Sequence, residues 1–486
     1  MSGSDAEVAL LRDVIAGFTV DAVHGVLGDD AWRALARSET VPGLRATTDG
    51  SSLSTFIRLF QLQAVVPRAA AESAFGPAWS VAQSLGLVEV DGDQARARLD
   101  LRPYGDESHD WWVVCDLTPG LDGRENPRDP LYVLGISEAS SSLAQLTVRP
   151  EVGRALDLGT GCGVQALHLS GHAREVVATD VNPRAVELAR LTSRLNGLDV
   201  DVRDGSLFEP VAGERFDLIS TNPPFVVSPP EGDRLVYRET GFDGDDVVRR
   251  IVTQASDHLN DGGWCQLLAA WIHREGEPWQ ERLAAWIEPT GLDAWVIQRE
   301  RVDLPEYAEM WLADAGLRHG PGHVERYDRW LSWFAEQGTE AMGFGWITLR
   351  KAGRAVPQVR IEEWTAPVAQ PVSADFLAWA DRTEALAAGE LLGRCWRLAR
   401  DVVQETTGPV GAQDPAVIRV QRTEGLRPSR QVDTIEAGLL SACDGDLTAG
   451  QILDALAQLL DRDAAELRRH YGPVVADLVA DGFLTT

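Results

Sequence analysis

Asp157-Leu158-Gly159-Thr160-Gly161-Cys162-Gly163 follows the apolar residues Ala155-Leu156 and precedes a helical pattern. Glycines at a strand-to-helix turn let the chain reverse tightly and let a ligand approach the main chain. The spacing is Gly-x-Gly-x-Gly, which departs from the Gly-x-Gly-x-x-Gly of nicotinamide dinucleotide sites. Asp180 closes the next apolar run, 176–180, where a carboxylate can accept hydrogen bonds from two ribose hydroxyls.

On either side of that turn the pattern alternates between strand and helix. Strands are predicted over 155–158, 176–180, 216–221, 264–270, 294–299 and 345–350. Helices are predicted over 183–195, with Pro183 in the first turn and Gly197 past the end, and over 245–259 and 277–287. Such alternation predicts an α/β domain with a largely parallel, doubly wound sheet. The stretch 303–342 is long for a connection, and Tyr327, Trp330, Trp333 and Phe334 predict an inserted helix there.

Three regions separate by pattern: 1–103, 104–351 and 352–486. The first reads as helices, including one over 71–85, followed by a hairpin whose arms 87–90 and 95–101 flank Asp91-Gly92-Asp93. A helix ending at Gly86 and feeding a hairpin predicts a winged-helix-like α+β module. The last region is mostly helical, and Gly482-Phe483-Leu484 echoes Gly86-Leu87-Val88, which predicts a second module of the same kind.

The chain has 486 residues, 44% of them hydrophobic and 24% charged, the composition of a globular protein of roughly two to four domains. No run approaches the ~18–20 apolar residues of a membrane span. The start, MSGSDAEVALLRD, has an early acidic residue and no basic segment, so it does not read as a secretory signal. Five dispersed cysteines without a Cys-x-x-Cys pair argue against a disulfide framework and a cysteine-based zinc site, and the expected compartment is the cytoplasm. His168 and His172 are four apart, but no carboxylate spacing accompanies them, and no metal is expected. The balance of 45 basic against 74 acidic residues, a net charge of -29, disfavours general adhesion to phosphate backbones. Lys351 is the single lysine.

Asn222-Pro223-Pro224-Phe225 ends the strand at 216–221. Ligands of open parallel sheets lie beyond the carboxyl ends of the strands, so this motif and the glycine turn share one rim. Together with Tyr237-Arg238-Glu239-Thr240-Gly241-Phe242-Asp243-Gly244, these residues resemble class I S-adenosylmethionine-dependent methyltransferases of the small-domain group. That group includes release-factor glutamine methyltransferases and ribosomal RNA amino-methyltransferases. The resemblance covers about 130–351, a little under half the chain.

The resemblance implies a Rossmann-like, seven-stranded, mostly parallel sheet and the cofactor S-adenosyl-L-methionine. Gly159, Thr160, Gly161 and Gly163 would underlie its methionine part, Asp157 would face its amino group, and Asp180 would hold the ribose. Ser206 and Leu207 would meet the adenine, although relatives often carry Asp where this chain has Ser206. Residues 134–143 would cover the cofactor, with Ser140 and Ser141 as contacts. Asn222 and Pro223 would accept hydrogen bonds from a planar amino group, aligning its nitrogen and stabilising positive charge that develops on it. Pro224 shapes the motif, and Phe225 would stack on the acceptor's plane.

Adenine, guanine, cytosine and glutamine all present a planar NH2. The leading expectation is a nucleobase in RNA, for which Phe225 and the two flanking modules speak. The alternatives are a glutamine side chain in a protein partner and a binding protein of this fold without activity. Against RNA stand the acidic charge and the stretch 71–85, which has no Arg or Lys; Arg422, Arg427 and Arg430 form the clearest basic cluster.

Overall fold

The computed structural model describes residues 3–121, 129–229, 242, 244–318, 320–411 and 415–486. Residues 237–241 and 243 of the motif quoted above lie outside them.

The short apolar runs become the strands of one sheet. These are β1 (Val152–Leu158), β2 (Ala173–Asp180), β3 (Val200–Asp204), β4 (Phe216–Thr221), β5 (Leu259–Arg274), β6 (Asp293–Asp303), β7 (Thr339–Arg350) and β8 (Val359–Glu363). Their order is β3-β2-β1-β4-β5-β7-β6-β8. All neighbours run parallel except β7, which is antiparallel to both β5 and β6. The sheet therefore has eight strands where seven are expected. The extra strand, β8, pairs parallel with β6 from Ala294↔Val359 to Gln298↔Glu363. β1 is flanked by β2 on one side and β4 on the other, so the strand order reverses beside it. Leu158 stands opposite both Thr179 and Thr221, which brings the ends of the three strands to one rim.

Helices α1 (Val164–Ser170), α2 (Pro183–Leu195), α3 (Asp246–His258) and α4 (Trp279–Ile287) connect the strands. α2 starts where Asn182 accepts the Arg184 N–H at 2.9 Å and Pro183 fills a position that needs no donor. The stretch expected as one inserted helix is two, α5 (Leu304–Asp314) and α6 (His323–Glu336), packed through Tyr307, Trp330 and Phe334 onto Val226 and Val227. Trp264, Trp271 and Trp295 are buried. His168 and His172 diverge: one meets the Tyr104 hydroxyl at 2.7 Å, the other the Pro150 carbonyl at 2.9 Å.

The boundaries differ from those expected. The chain divides into two compact units, residues 1–144 with Pro150–Trp364, and Gln145–Arg149 with Thr365–Thr486. Across position 103 one apolar core joins Leu11 and Phe60 of the first helices, Val113 of a hairpin, and Leu188 and Leu191 of α2. The break near 351 moves to 364 because β8 completes the sheet's edge. The helix expected over 71–85 is two, Arg68–Phe75 and Trp79–Ser84. Pro77, which lacks an N–H, and Gly76, at φ 49°, part them. The hairpin around Gly92 pairs Val88–Asp91 with Gln94–Ala97, and Asp100–Gly105 instead pairs with Asp110–Cys115.

In the second unit, helices Thr434–Ala442, Ala449–Leu459 and Ala464–Ala480 share a core with the sheet Asp444–Thr448, Cys395–Leu398, Leu484–Thr485. A second sheet joins Val402–Thr407, Val417–Arg422 and Ser429–Val432. Arg422 is bound to Asp375 at 2.7 Å and Asp401 at 3.0 Å, and Arg430 to Glu436 at 2.9 Å. Two of the three arginines of the basic cluster thus hold the unit together.

Candidate active site

The rim where β1, β2 and β4 end opens into a cavity of about 530 Å³, within the range of small-molecule sites. Gly159, Gly161 and Gly163 all have positive φ, at 75°, 56° and 92°. A Cβ at Gly159 or Gly161 would meet nothing within 4 Å, so both leave open space on the cavity side. At Gly163 it would lie 3.6 Å from Ala189 of α2, so this glycine allows close helix packing. The Gly159 and Thr160 N–H groups donate to the Thr179 carbonyl at 2.8 and 2.9 Å, fixing the turn to the end of β2.

Two carboxylates face this turn. Asp157 is buried and accepts hydrogen bonds from the Thr160 hydroxyl at 2.6 Å and the Ala166 N–H at 3.0 Å. Burial lifts its pKa to about 7 against those two bonds, and nearby Asp180 adds to the rise. Asp180 accepts from the Gly161 N–H and the Asn182 N–H, each at 2.8 Å. Its pKa is also raised, first by burial and then by Asp204. Ser206 and Leu207 line the cavity, with Leu207 held at φ 47°, a strained conformation for a side chain of this kind. Asp204 is exposed and is not among the lining residues.

Asn222, Pro223 and Pro224 line the same cavity. The Asn222 Oδ1 is shielded from solvent and has no hydrogen-bond partner among the described residues. Thr221 beside it donates its hydroxyl to the Leu158 carbonyl at 2.6 Å, tying the motif's strand to β1. Phe225 departs from expectation: it is not among the lining residues and meets Phe344 edge-on, with ring centroids 6.3 Å apart. Aromatic rings that do line the cavity are Tyr132 and Phe242, the latter with the Arg250 guanidinium 4.5 Å from its centroid.

The segment expected to cover the cofactor, 134–143, supplies part of the cavity wall, together with residues just before it. Tyr132, Val133, Gly135, Ser137 and Ser140 line it, whereas Ser141 does not. Ser137 and Ser140 bond reciprocally through hydroxyl and N–H at 2.9 and 3.2 Å, a local signal the Ser-x-x-Ser spacing carries. Gln165 and Asn182 also line the cavity, and Asn182 is legible only as a helix cap.

The donor set fits S-adenosylmethionine. Two carboxylates suit a ligand bearing an ammonium, a sulfonium and a ribose diol, no Lys or Arg lines the cavity among the described residues, and the glycine turn leaves room along the main chain. Among the described residues no group of three or more His, Cys, Asp or Glu could hold a metal ion. No helix among them is long and apolar enough to cross a membrane.

Residues 135–275 match the model of the methyltransferase small domain. Residues 15–98 and 374–486 match two domains of unknown function, DUF7059 and DUF7782. The chain is 33% identical over 177 residues to a release factor glutamine methyltransferase of Geobacter sulfurreducens, covering 30% of this chain and 62% of that protein. It is 33% identical over 172 residues to ribosomal RNA small subunit methyltransferase C of Salmonella arizonae, covering 35% and 44%. The chain spans about half the length of the curated relatives it matches. A solved T. thermophilus 16S rRNA methyltransferase in complex with AdoMet and guanosine aligns with TM-score 0.28 and 20% identity, over 46% of this chain and 58% of that one.

Proposed function

Because residues 135–275 are a methyltransferase small domain, we propose that this protein methylates a planar exocyclic amino nitrogen, on a nucleobase of RNA, using S-adenosyl-L-methionine. When bound, the cofactor supplies a methyl group on a positively charged sulfur. The observation that carries the reading is the shielded Asn222 Oδ1, without a hydrogen-bond partner among the described residues, in the cavity shared with Gly159 and Gly161. A buried acceptor without a donor is costly, so its place in the site calls for an N–H from a ligand.

Asn222 Oδ1 and the Pro223 carbonyl accept the two hydrogens of the acceptor's NH2 group. Those bonds orient a nitrogen whose lone pair is otherwise delocalised, and they stabilise the positive charge that develops on it. Asp157 faces the cofactor's ammonium and Asp180 its ribose, while Gly159, Thr160, Gly161 and Gly163 supply the turn beneath it. Ser206 and Leu207 border the adenine. No strong base is needed before transfer, because the proton can leave the positively charged product nitrogen afterwards. The cytoplasm is the expected setting.

Phe242 in the cavity, backed by Arg250, supports a flat aromatic acceptor attached to an anionic chain. The second reading, a glutamine in a protein partner, is favoured by the net charge of -29. The test is transfer of labelled methyl from S-adenosylmethionine into extract from a strain lacking the gene. Label should be lost to ribonuclease and survive protease; the reverse would establish the glutamine reading. Asn222→Ala should bind the cofactor normally and lose about 10²–10³ in rate. Full turnover by that variant would remove the role assigned to Asn222.

A further inference from the structure

Between the matched segments 15–98 and 135–275 lies a stretch that neither covers. Its hairpin strand Asp110–Cys115 runs along the whole of α2. The Trp112 N–H donates to Asn196 Oδ1 at 2.9 Å, and Asn196 Nδ2 donates back to the Trp112 carbonyl at 2.8 Å. The Val114 N–H donates to the Thr192 hydroxyl at 3.0 Å. Two residues on, Asp116 Oδ1 accepts from Arg184 at 2.8 and 3.3 Å. Contacts from 112 to 116 thus step from the last turn of α2 to its first, where Asn182 lines the cavity.

Asp116 makes a second set of bonds there. Its Oδ2 accepts the Val133 N–H at 2.9 Å, and its own N–H donates to the Val133 carbonyl at 3.3 Å. Val133 lies in the wall of the cavity, between Tyr132 and Gly135. One side chain therefore holds three things together: the end of the hairpin, the first turn of α2 and the cavity wall. The same wall is fixed nearby by Asn182 Nδ2, which donates to the Leu131 carbonyl at 3.0 Å. At Gly135 a Cβ would come within 2.6 Å of the Cys115 sulfur, so the wall lies directly against the hairpin.

We infer that Asp116 is a positioning residue for the methyl-donor site, and that the N-terminal region serves the cofactor through it. The inference rests on the proposal that the cavity holds S-adenosylmethionine. A wall already in place before binding loses less freedom when the ligand arrives, so affinity depends on what holds it. Trp112 carries the chain of contacts further back, because its indole N–H donates to the Phe18 carbonyl at 2.8 Å.

The test uses the full chain and a calorimetric titration with S-adenosylmethionine and with S-adenosylhomocysteine. Asp116→Ala and Arg184→Gln should each weaken both ligands about tenfold, and the double variant should be no worse than the poorer single one, because the two act as a unit. Asp116→Glu, which keeps the carboxylate, should recover most of the affinity. Asp5→Asn is the control: it breaks the exposed pair with Arg194 at the far end of α2 and should leave affinity unchanged. Asp116→Ala strands the buried Val133 N–H and should melt below the parent, and its ligand-induced rise in melting temperature should also be smaller than the parent's, an effect that plain destabilisation does not produce. If the parent binds and both Asp116→Ala and Arg184→Gln bind equally well, the inference fails while the cofactor reading stands. If the parent binds neither ligand, the cofactor reading fails and takes the inference with it.

Discussion

Asp157 is a buried carboxyl that makes the protein sensitive to pH. Its pKa, lifted by burial to about 7, exceeds the ~3.9 of an unfolded aspartate. The ligand-free folded protein therefore binds a proton that the unfolded chain has released. The stabilisation this gives is complete below about pH 4 and is lost as pH rises through about 7. Urea unfolding of the ligand-free protein across that window should show the fall, and Asp157→Asn should flatten it. Cofactor affinity should move the other way, rising towards pH 8 or so as the carboxylate ionises to face the ammonium. Asp157 and the glycines could be read from sequence because they occupy one short strand-to-helix turn, and Asp180 because it ends the next strand. Phe225 could not, because its ring is placed by Phe344, more than a hundred residues away.

At the scale of elements, local signals were enough where the ends of an element are chemically marked. The helix at 183–195 has an Asn-Pro start and a glycine beyond its end, and its observed bounds are Pro183–Leu195. The two flanking modules end a helix in the same way. Gly86 and Gly482 have φ of 75° and 77°, and the next N–H, from Leu87 or Phe483, reaches back to Ala82 or Leu478 at 2.9 Å. β8 was not legible, because three of the five residues of Val359-Arg360-Ile361-Glu362-Glu363 are charged and the segment gains its strand character from pairing with β6. The insertion was legible as helical but not in its purpose. Its Tyr307 hydroxyl accepts the Val227 N–H at 2.8 Å, and its ring lies 5.9 Å from Phe344. Tyr307 thus anchors the chain that leaves Asn222-Pro223-Pro224-Phe225. Tyr307→Phe strands a buried N–H and should lower stability by about 1–3 kcal/mol in denaturant unfolding.

For the whole molecule, the division into two units with separate cores predicts two unfolding transitions. All the residues lining the cavity fall in the first unit. Saturation with S-adenosylmethionine should therefore raise one transition, by about 2.7 kcal/mol at ~100 times Kd, and leave the other in place. Calorimetry with and without ligand reads this directly, and a single transition that shifts as a whole would contradict it. The shared core of the first unit also bears on how the protein is made. Helices near the amino terminus complete their packing on Leu188, Leu191 and Leu195. A nascent chain that has reached Cys115 must wait for α2 to leave the ribosome, roughly 4–16 s at ~5–20 residues per second. During that interval Phe18, Phe56, Phe60 and Phe75, all buried in the finished protein, have only part of their cover. The first hundred residues thus leave part of their apolar surface open until α2, which also borders the cavity, arrives.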